Sequence, residues 1–354
     1  MDKRAEKLAN LVVNYCLEIK KGQKILIDAT TEAEEFVEAC LKEVLKAGAF
    51  PILRLTLKNN KQILLENSIN RKQLEFFPNS LLEDAKDVDA VIDIENEASN
   101  LTKISPDKVA VHSHTMKPYW DYLIYEKNKC RRVTMLVPSI KHAKDANMTL
   151  KEFENFVYSA SFVDWEKLTK RFEKVRKIFE DAKEVHLIGK NVDLKFSKKG
   201  RNCILENGKE NMPGGEMFIA PIKDSLEGWI KFEYPAHVDA LFFSDVYLKF
   251  KKGKIVDFNA KQGKALLKRL LDTDGGSRYI GEFGIGINPF VKKGTNSWID
   301  EKIDGTIHLA IGRSYDENGG DNDSAIHWDI TKDMHQAKII LDGKVVQENG
   351  KWLI

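Results

Sequence analysis

Near the carboxyl end of this 354-residue chain, the stretch DSAIHWDI sets His327 and Asp329 two apart among the apolar residues Ala325, Ile326, Trp328 and Ile330. Successive side chains on a strand point to opposite faces, so this imidazole and carboxylate share a face, roughly 6.5–7 Å apart along the backbone. Trp328 points the other way. Held on a rigid strand, such a pair can grip a metal ion, orient a catalytic group, or only hydrogen-bond each other.

Three more residues of the second half carry the same kind of chemistry. Glu216 in NMPGGEMFIAP follows two glycines and precedes a strand. Glu282 in RYIGEFGIGINP lies among apolar residues and glycines, and His308 in DGTIHLAIGRSY lies among Ile307, Leu309, Ala310 and Ile311. Singly, each has an ordinary explanation: a salt-bridged glutamate at a strand end, or a core histidine with a satisfied hydrogen bond. As a set of five they need a shared positive partner, because an anionic carboxylate is costly to bury in an apolar run unpaired. A pair of divalent cations would supply that charge, each taking oxygen or imidazole ligands, and glycine beside Glu216 and Glu282 would let backbone approach a crowded centre. Tyr315, beyond a bend at Gly312, is either a buried structural tyrosine or a donor to an oxyanion.

These residues need a scaffold, and the chain divides into halves of different character. In the first, the run KILIDATT, a helical pattern in EAEEFVEACLKEVLKAGA with Gly48 as its C-cap, and the run FPILRLTL predict a βαβ unit with parallel strands. Asp28, Thr30 and Thr31 end the first strand and cap the helix. Further strands are predicted at DAVIDIEN, KVAVHSH and RRVTMLVP, the second of these bringing His112 and His114 onto one strand face as a second candidate metal pair, without acidic neighbours in the local sequence. Neither GxGxxG nor GxxxxGK[ST] occurs, so the nucleotide-phosphate signatures of such sheets are missing. Residues 147–183 predict two connecting helices, with Asp164 as an N-cap. From 184 on, short strands with glycine turns predict hairpins, interrupted by a helix in KQGKALLKRLLDTDGG. The expected fold is therefore an N-terminal, open, mostly parallel α/β domain over 1–146, a helical connection over 147–183, and a β-rich mixed α+β metal-binding catalytic domain over 184–354.

Composition narrows the function. Fifty-six basic and 54 acidic residues give a net charge of +2, no basis for drawing the chain to nucleic acid or an anionic membrane. The basic run KLTKRFEKVRKIF reads as the solvated face of a helix. No segment approaches the length of a membrane span, and the amino-terminal MDKRAEKLANLVVNYCLEI reads as an amphipathic helix of the mature protein, not a cleaved signal. Cys16, Cys40, Cys130 and Cys203 form no CxxC pair, which fits a cytoplasmic protein without a disulfide framework.

NMPGGEMFIAP, IGEFG, GTIHLAIGRSY and HWD, in this order, resemble the signature segments of the thermophilic-type metalloaminopeptidase family (AmpS, AmpT and PepS type). Departures are glycine at Gly214 or Gly215 where the family commonly has threonine, and a short connection from Tyr315 to His327. Position by position, the resemblance implies Glu216, Glu282, His308, His327 and Asp329 as ligands of a two-metal site, with Tyr315 beside it as a catalytic residue and Glu216 or Glu282 as bridge or general base. It implies two divalent ions per subunit (zinc, cobalt or manganese), peptide substrates with a free amino terminus, and a homodimer. The expected reaction is hydrolysis of the first peptide bond by a water made acidic at the two metals, its pKa brought toward about 7. Two alternatives stay open: another two-metal hydrolase acting on amides or phosphate esters, or a non-catalytic binding protein holding a structural ion. Arg313, Asp316 and Asp321 to Asp323 flank the candidate site and read as loop charges or as shapers of substrate entry; Asp239 and Asp245 receive no role.

Overall fold

The computed structural model describes residues 2–95, 101, 104–126, 129–238 and 241–353; Asp239 lies outside them. The chain forms two compact units, one of Met1–Phe162 with Gly208–Gly214, the other of Val163–Asn207 with Gly215–Ile354.

The first unit is built on a parallel sheet. β1 (Lys24–Thr30) lies between β2 (Phe50–Thr56) and β3 (Ala90–Glu95), followed by β4 (Arg131–Leu136) and the short strand Asn211–Met212. Ile25, Leu26 and Ile27 of β1 are all fully buried, the continuous apolar run of a strand covered on both faces. α1 (Lys3–Leu11) packs through Ala5, Leu8 and Ala9. α2 (Glu34–Lys46) buries Phe36, Val37, Cys40 and Val44 at helical spacing, and Gly48 beyond it takes the left-handed conformation, φ 72°. The Thr30 hydroxyl caps the turn before α2 by accepting from Glu32 N. Asp28 instead stays within β1, ion-paired to Arg54 at 2.8 Å.

One predicted strand is a helix. KVAVHSH falls inside α3 (Pro106–Tyr125), which buries Val109, Tyr119 and Leu123. Pro106 occupies its first turn, where a missing N–H removes no hydrogen bond and the fixed φ suits helix entry. Residues two apart on a helix point in nearly opposite directions, so His112 and His114 do not share a face and the second metal pair falls away. The apparent alternation was four residues long, too short to separate the two periods.

The two helices expected over 147–183 form as α4 (Leu150–Ser161) and α5 (Trp165–Asp181), one in each unit. Asp164 caps α5 by accepting from Lys167 N at 3.0 Å. The basic run lies on α5, whose Leu168, Phe172, Val175 and Phe179 are buried, leaving the charges on its outer face.

Besides a two-stranded hairpin of Ala236–Val238 and Leu241–Phe243, the second unit carries two larger antiparallel sheets. One has eight strands drawn from residues 184–259 and 337–352; the other holds the site residues on β5 (Glu216–Ile219), β6 (Ile280–Gly286), β7 (Thr306–Gly312) and β8 (His327–Asp333), in the order β8-β7-β6-β5 with Ile204–Glu206 at the edge. Phe196 of the eight-stranded sheet meets Phe283 of β6 at 5.2 Å between ring centroids, and Phe179 of α5 lies 6.4 Å from the same ring. This aromatic core backs β6. The parallel α/β unit and the β-rich unit together give the expected mixed fold. All four cysteines are free and buried, and no described helix is long and apolar enough to cross a membrane.

Candidate metal centre

Pairing register assembles the site. Glu282 of β6 lies opposite Ala310 of β7, which lies opposite Asp329 of β8; the neighbouring rows pair Gly284 with His308 and Gly312 with His327. The charged side chains thus project from one sheet face on three adjacent strands, and Glu216 joins them from the start of β5, opposite Gly286. Small residues make the room. A Cβ on Gly284 would stand 1.9 Å from His308 Nε2. Gly215, at φ 109°, turns the chain into β5, and its N–H donates to Glu206 Oε2 at 3.0 Å.

All five candidate ligands converge. His308 Nε2 lies 3.1 Å from Glu282 Oε1 and 3.3 Å from Glu216 Oε2; His327 Nε2 lies 3.4 Å from Asp329 Oδ2. Two sets of three donors result, Glu216 with Glu282 and His308, and Glu282 with His327 and Asp329, each offering ligand atoms within 4.8 Å of one another. Glu282 belongs to both. Glu216, Glu282 and His308 are buried, the other two partly so. His327 Nδ1–H donates to the Arg313 carbonyl at 2.7 Å, which turns Nε2 toward Asp329 in the manner of an oriented metal ligand. Tyr315, three residues beyond Gly312 (φ 101°), brings its hydroxyl 3.5 Å from His327 Nε2, its ring packed against Phe218.

The donor set fits divalent cations by a physical criterion. Glu216 Oε2 and Asp329 Oδ1 are buried without any hydrogen-bond partner, and a buried carboxylate oxygen left in that state is costly. Mixed carboxylate and imidazole donors suit zinc, cobalt and manganese.

Electrostatics agree with so close a cluster. For His308, burial works to lower the pKa, but the Glu282 hydrogen bond and the Glu216 charge outweigh it and raise it to about 9. For His327, burial is likewise overcome by Asp329, raising it to about 10. For Asp329, burial opposes and the His327 charge prevails, taking it down to about 2. Burial raises Glu282. Without a cation both imidazoles therefore hold protons at neutral pH, and a metal must displace them.

Two neighbours escape sequence reasoning. Lys302 is fully buried, its ammonium 2.6 Å from Glu216 Oε1 and 3.0 Å from Glu301 Oε2. Glu301, raised to about 8 by burial against the opposing Lys302 charge, faces a cleft of about 330 Å³ that Trp298, His237, His327 and Asp329 also line, with no lysine or arginine among its lining residues. In sequence, IDEKID reads as a solvated charge run, and no signal separates it from one. Of the flanking charges, Asp321 pairs with Arg201 at 2.9 Å, and Asp245, to which the sequence gives no role, pairs with Lys231 at 2.9 Å. Asp274 receives Ser324 Oγ and Ala325 N, bracing the entry to β8.

A family model described as thermophilic metalloprotease (M29) matches residues 1–352. Among curated proteins, aminopeptidase AmpS of Bacillus subtilis is 25% identical, over 99% of this chain and all of its own length. Aminopeptidase T of Thermus thermophilus is 24% identical, over 99% of this chain and 98% of its own. Among solved structures, wild-type AmpT from Thermus thermophilus superposes with a TM-score of 0.87 at 21% identity, covering 99% of both chains. 2,5-Dihydroxypyridine dioxygenase from Pseudomonas putida KT2440 superposes with a TM-score of 0.63 at 15% identity, covering 99% of this chain and 96% of its own. A likeness that spans a peptidase and a dioxygenase speaks for fold alone, and chemistry has to be argued from the site.

Proposed function

The chain belongs to the thermophilic metalloprotease (M29) family, and from that premise we propose that it is a metal-dependent aminopeptidase that removes the first residue of peptides at a centre of two divalent cations. One observation carries this reading: Glu282 is common to two three-donor sets, so one carboxylate can bridge two ions. Glu216 and His308 would complete one ion's ligands, His327 and Asp329 the other's. When bound, such ions polarise the scissile carbonyl and make water nucleophilic near neutral pH.

The chain's own groups supply the rest. The Tyr315 hydroxyl would donate to the carbonyl oxygen as negative charge develops on it, a role its approach to His327 Nε2 at 3.5 Å supports. The Arg313 carbonyl holds His327 in register. Glu301 and Asp329 line a cleft without lysine or arginine, where carboxyl oxygens would accept from the substrate's α-ammonium and an acylated amino terminus would offer them no ammonium to hold. This gives exopeptidase specificity. Phosphate esters, by contrast, would find no lysine or arginine there.

We also assign the protein to the cytoplasm, where its four free buried thiols stay reduced, and to a homodimer. Supporting the latter, Phe50, Leu53, Leu55 and Leu57 are exposed on or just beyond edge strand β2, an apolar surface that a second copy would cover.

Purified protein is to be incubated with aminoacyl-p-nitroanilides and short peptides, before and after chelation, then with each of Zn²⁺, Co²⁺ and Mn²⁺. We expect release of amino-terminal residues, its loss on chelation and its return with at least one ion; N-acetylated peptides should stay intact. Release that survives thorough chelation would sink the proposal.

A further inference from the structure

Lys302 sits where a metal site should least tolerate a cation. Its ammonium has no access to solvent, so it cannot swing away when a metal arrives. It holds Glu216 Oε1 at 2.6 Å, while Oε2 of the same carboxylate, 3.3 Å from His308 Nε2, has no hydrogen-bond donor. One oxygen is taken and the other is free.

Two consequences follow. Glu216 has a single oxygen to offer a cation, because the second is committed to a charge-assisted hydrogen bond. A cation at Glu216, Glu282 and His308 would also share a carboxylate with a fixed positive charge, in a buried setting where repulsion is poorly screened. The other donor set differs. Asp329 meets no lysine or arginine within ion-pairing distance among the described residues.

Resting on the two-cation reading above, we propose that Lys302 is a positioning residue that makes the metal subsites unequal: it confines Glu216 to one oxygen and weakens the Glu216/His308 subsite relative to the His327/Asp329 subsite. The protein would then bind one ion tightly and a second loosely, and the loose ion would set the metal concentration at which full activity appears.

Metal-free full-length protein titrated with Co²⁺, followed by visible absorption and equilibrium dialysis, tests this without any turnover measurement. We expect two Co²⁺ per chain, with dissociation constants differing on the order of tenfold or more. His308→Ala should abolish the weak step and leave the tight one; His327→Ala should abolish the tight one. Lys302→Gln should tighten the weak step about tenfold and close most of the gap, whereas Lys302→Arg, which keeps the charge, should preserve it. Equal wild-type steps, a tight step lost in His308→Ala, an unchanged gap in Lys302→Gln, or a gap closed by Lys302→Arg would each overturn the inference. The wild-type and histidine titrations decide the order of the subsites even where Lys302→Gln fails to fold, which circular dichroism reports. Fewer than two bound Co²⁺ would instead refute the two-cation reading beneath it.

Discussion

Glu282→Gln is expected to fold as the parent does and to lose about a thousandfold in kcat/KM, equivalent to about 4 kcal/mol of transition-state stabilisation. Glutamine keeps the shape of the side chain and removes its charge. Every other proposed ligand serves one donor set, while Glu282 serves both, so its neutralisation weakens two ions together. Folding should survive for a related reason: Glu282 is buried, and burial already disfavours its anion, so the metal-free protein gains by losing that charge. Peptide turnover at saturating metal, with circular dichroism and thermal unfolding of the metal-free form, separates the two effects. Turnover near the parent's would remove Glu282 from the mechanism.

Gly284→Ala is expected to damage the site by displacing a ligand without replacing one. The added Cβ would meet His308 Nε2 at 1.9 Å and Cε1 at 2.1 Å. His308 is fully buried and bounded by Glu216 and Glu282, so the ring has to leave its place in the donor set. Overpacking of this kind costs about 1–3 kcal/mol of stability, and misplacing a ligand by an ångström costs about a hundredfold in rate. Gly275→Ala, whose Cβ meets nothing within 4 Å, serves as the control and should leave both quantities unchanged. Chemical denaturation and kcat/KM for the two variants measure the contrast, and equal behaviour of the pair would contradict it.

His327 and Asp329 are legible in the sequence because a strand's period of two is short: two polar residues among apolar ones, two apart, can only share a face. Glu216 and His308 stand out for a similar reason, as single ionisable groups in apolar runs. Their mutual proximity is not legible at that level, since it depends on the register of three strand pairs, each distant in sequence; the family resemblance supplied the set. The glycine-spaced IGEFGIG gives little strand signal by composition, yet it forms β6. Its glycines admit neighbours that a side chain would displace: the Arg313 carbonyl at Gly281, the His308 ring at Gly284 and the Ile303 carbonyl at Gly286.

Lys302 and Glu301 were illegible because burial is a property of the fold, and a lysine beside acidic residues is on average a solvated one. The αβ alternation of the first unit was readable at β1, α2 and β2, where apolar runs and caps agree. It failed at α3, where Val109 and Val111 imitate a strand and only Pro106 and the later Tyr119 and Leu123 favour a helix.

Anomalous diffraction from crystals grown with Mn²⁺ or Zn²⁺ bears most directly on the shared role of Glu282. Two peaks are expected on the β6–β8 face, one among Glu216, Glu282 and His308, the other among Glu282, His327 and Asp329. A single peak, or peaks that leave Glu282 unliganded, would contradict the two-cation centre.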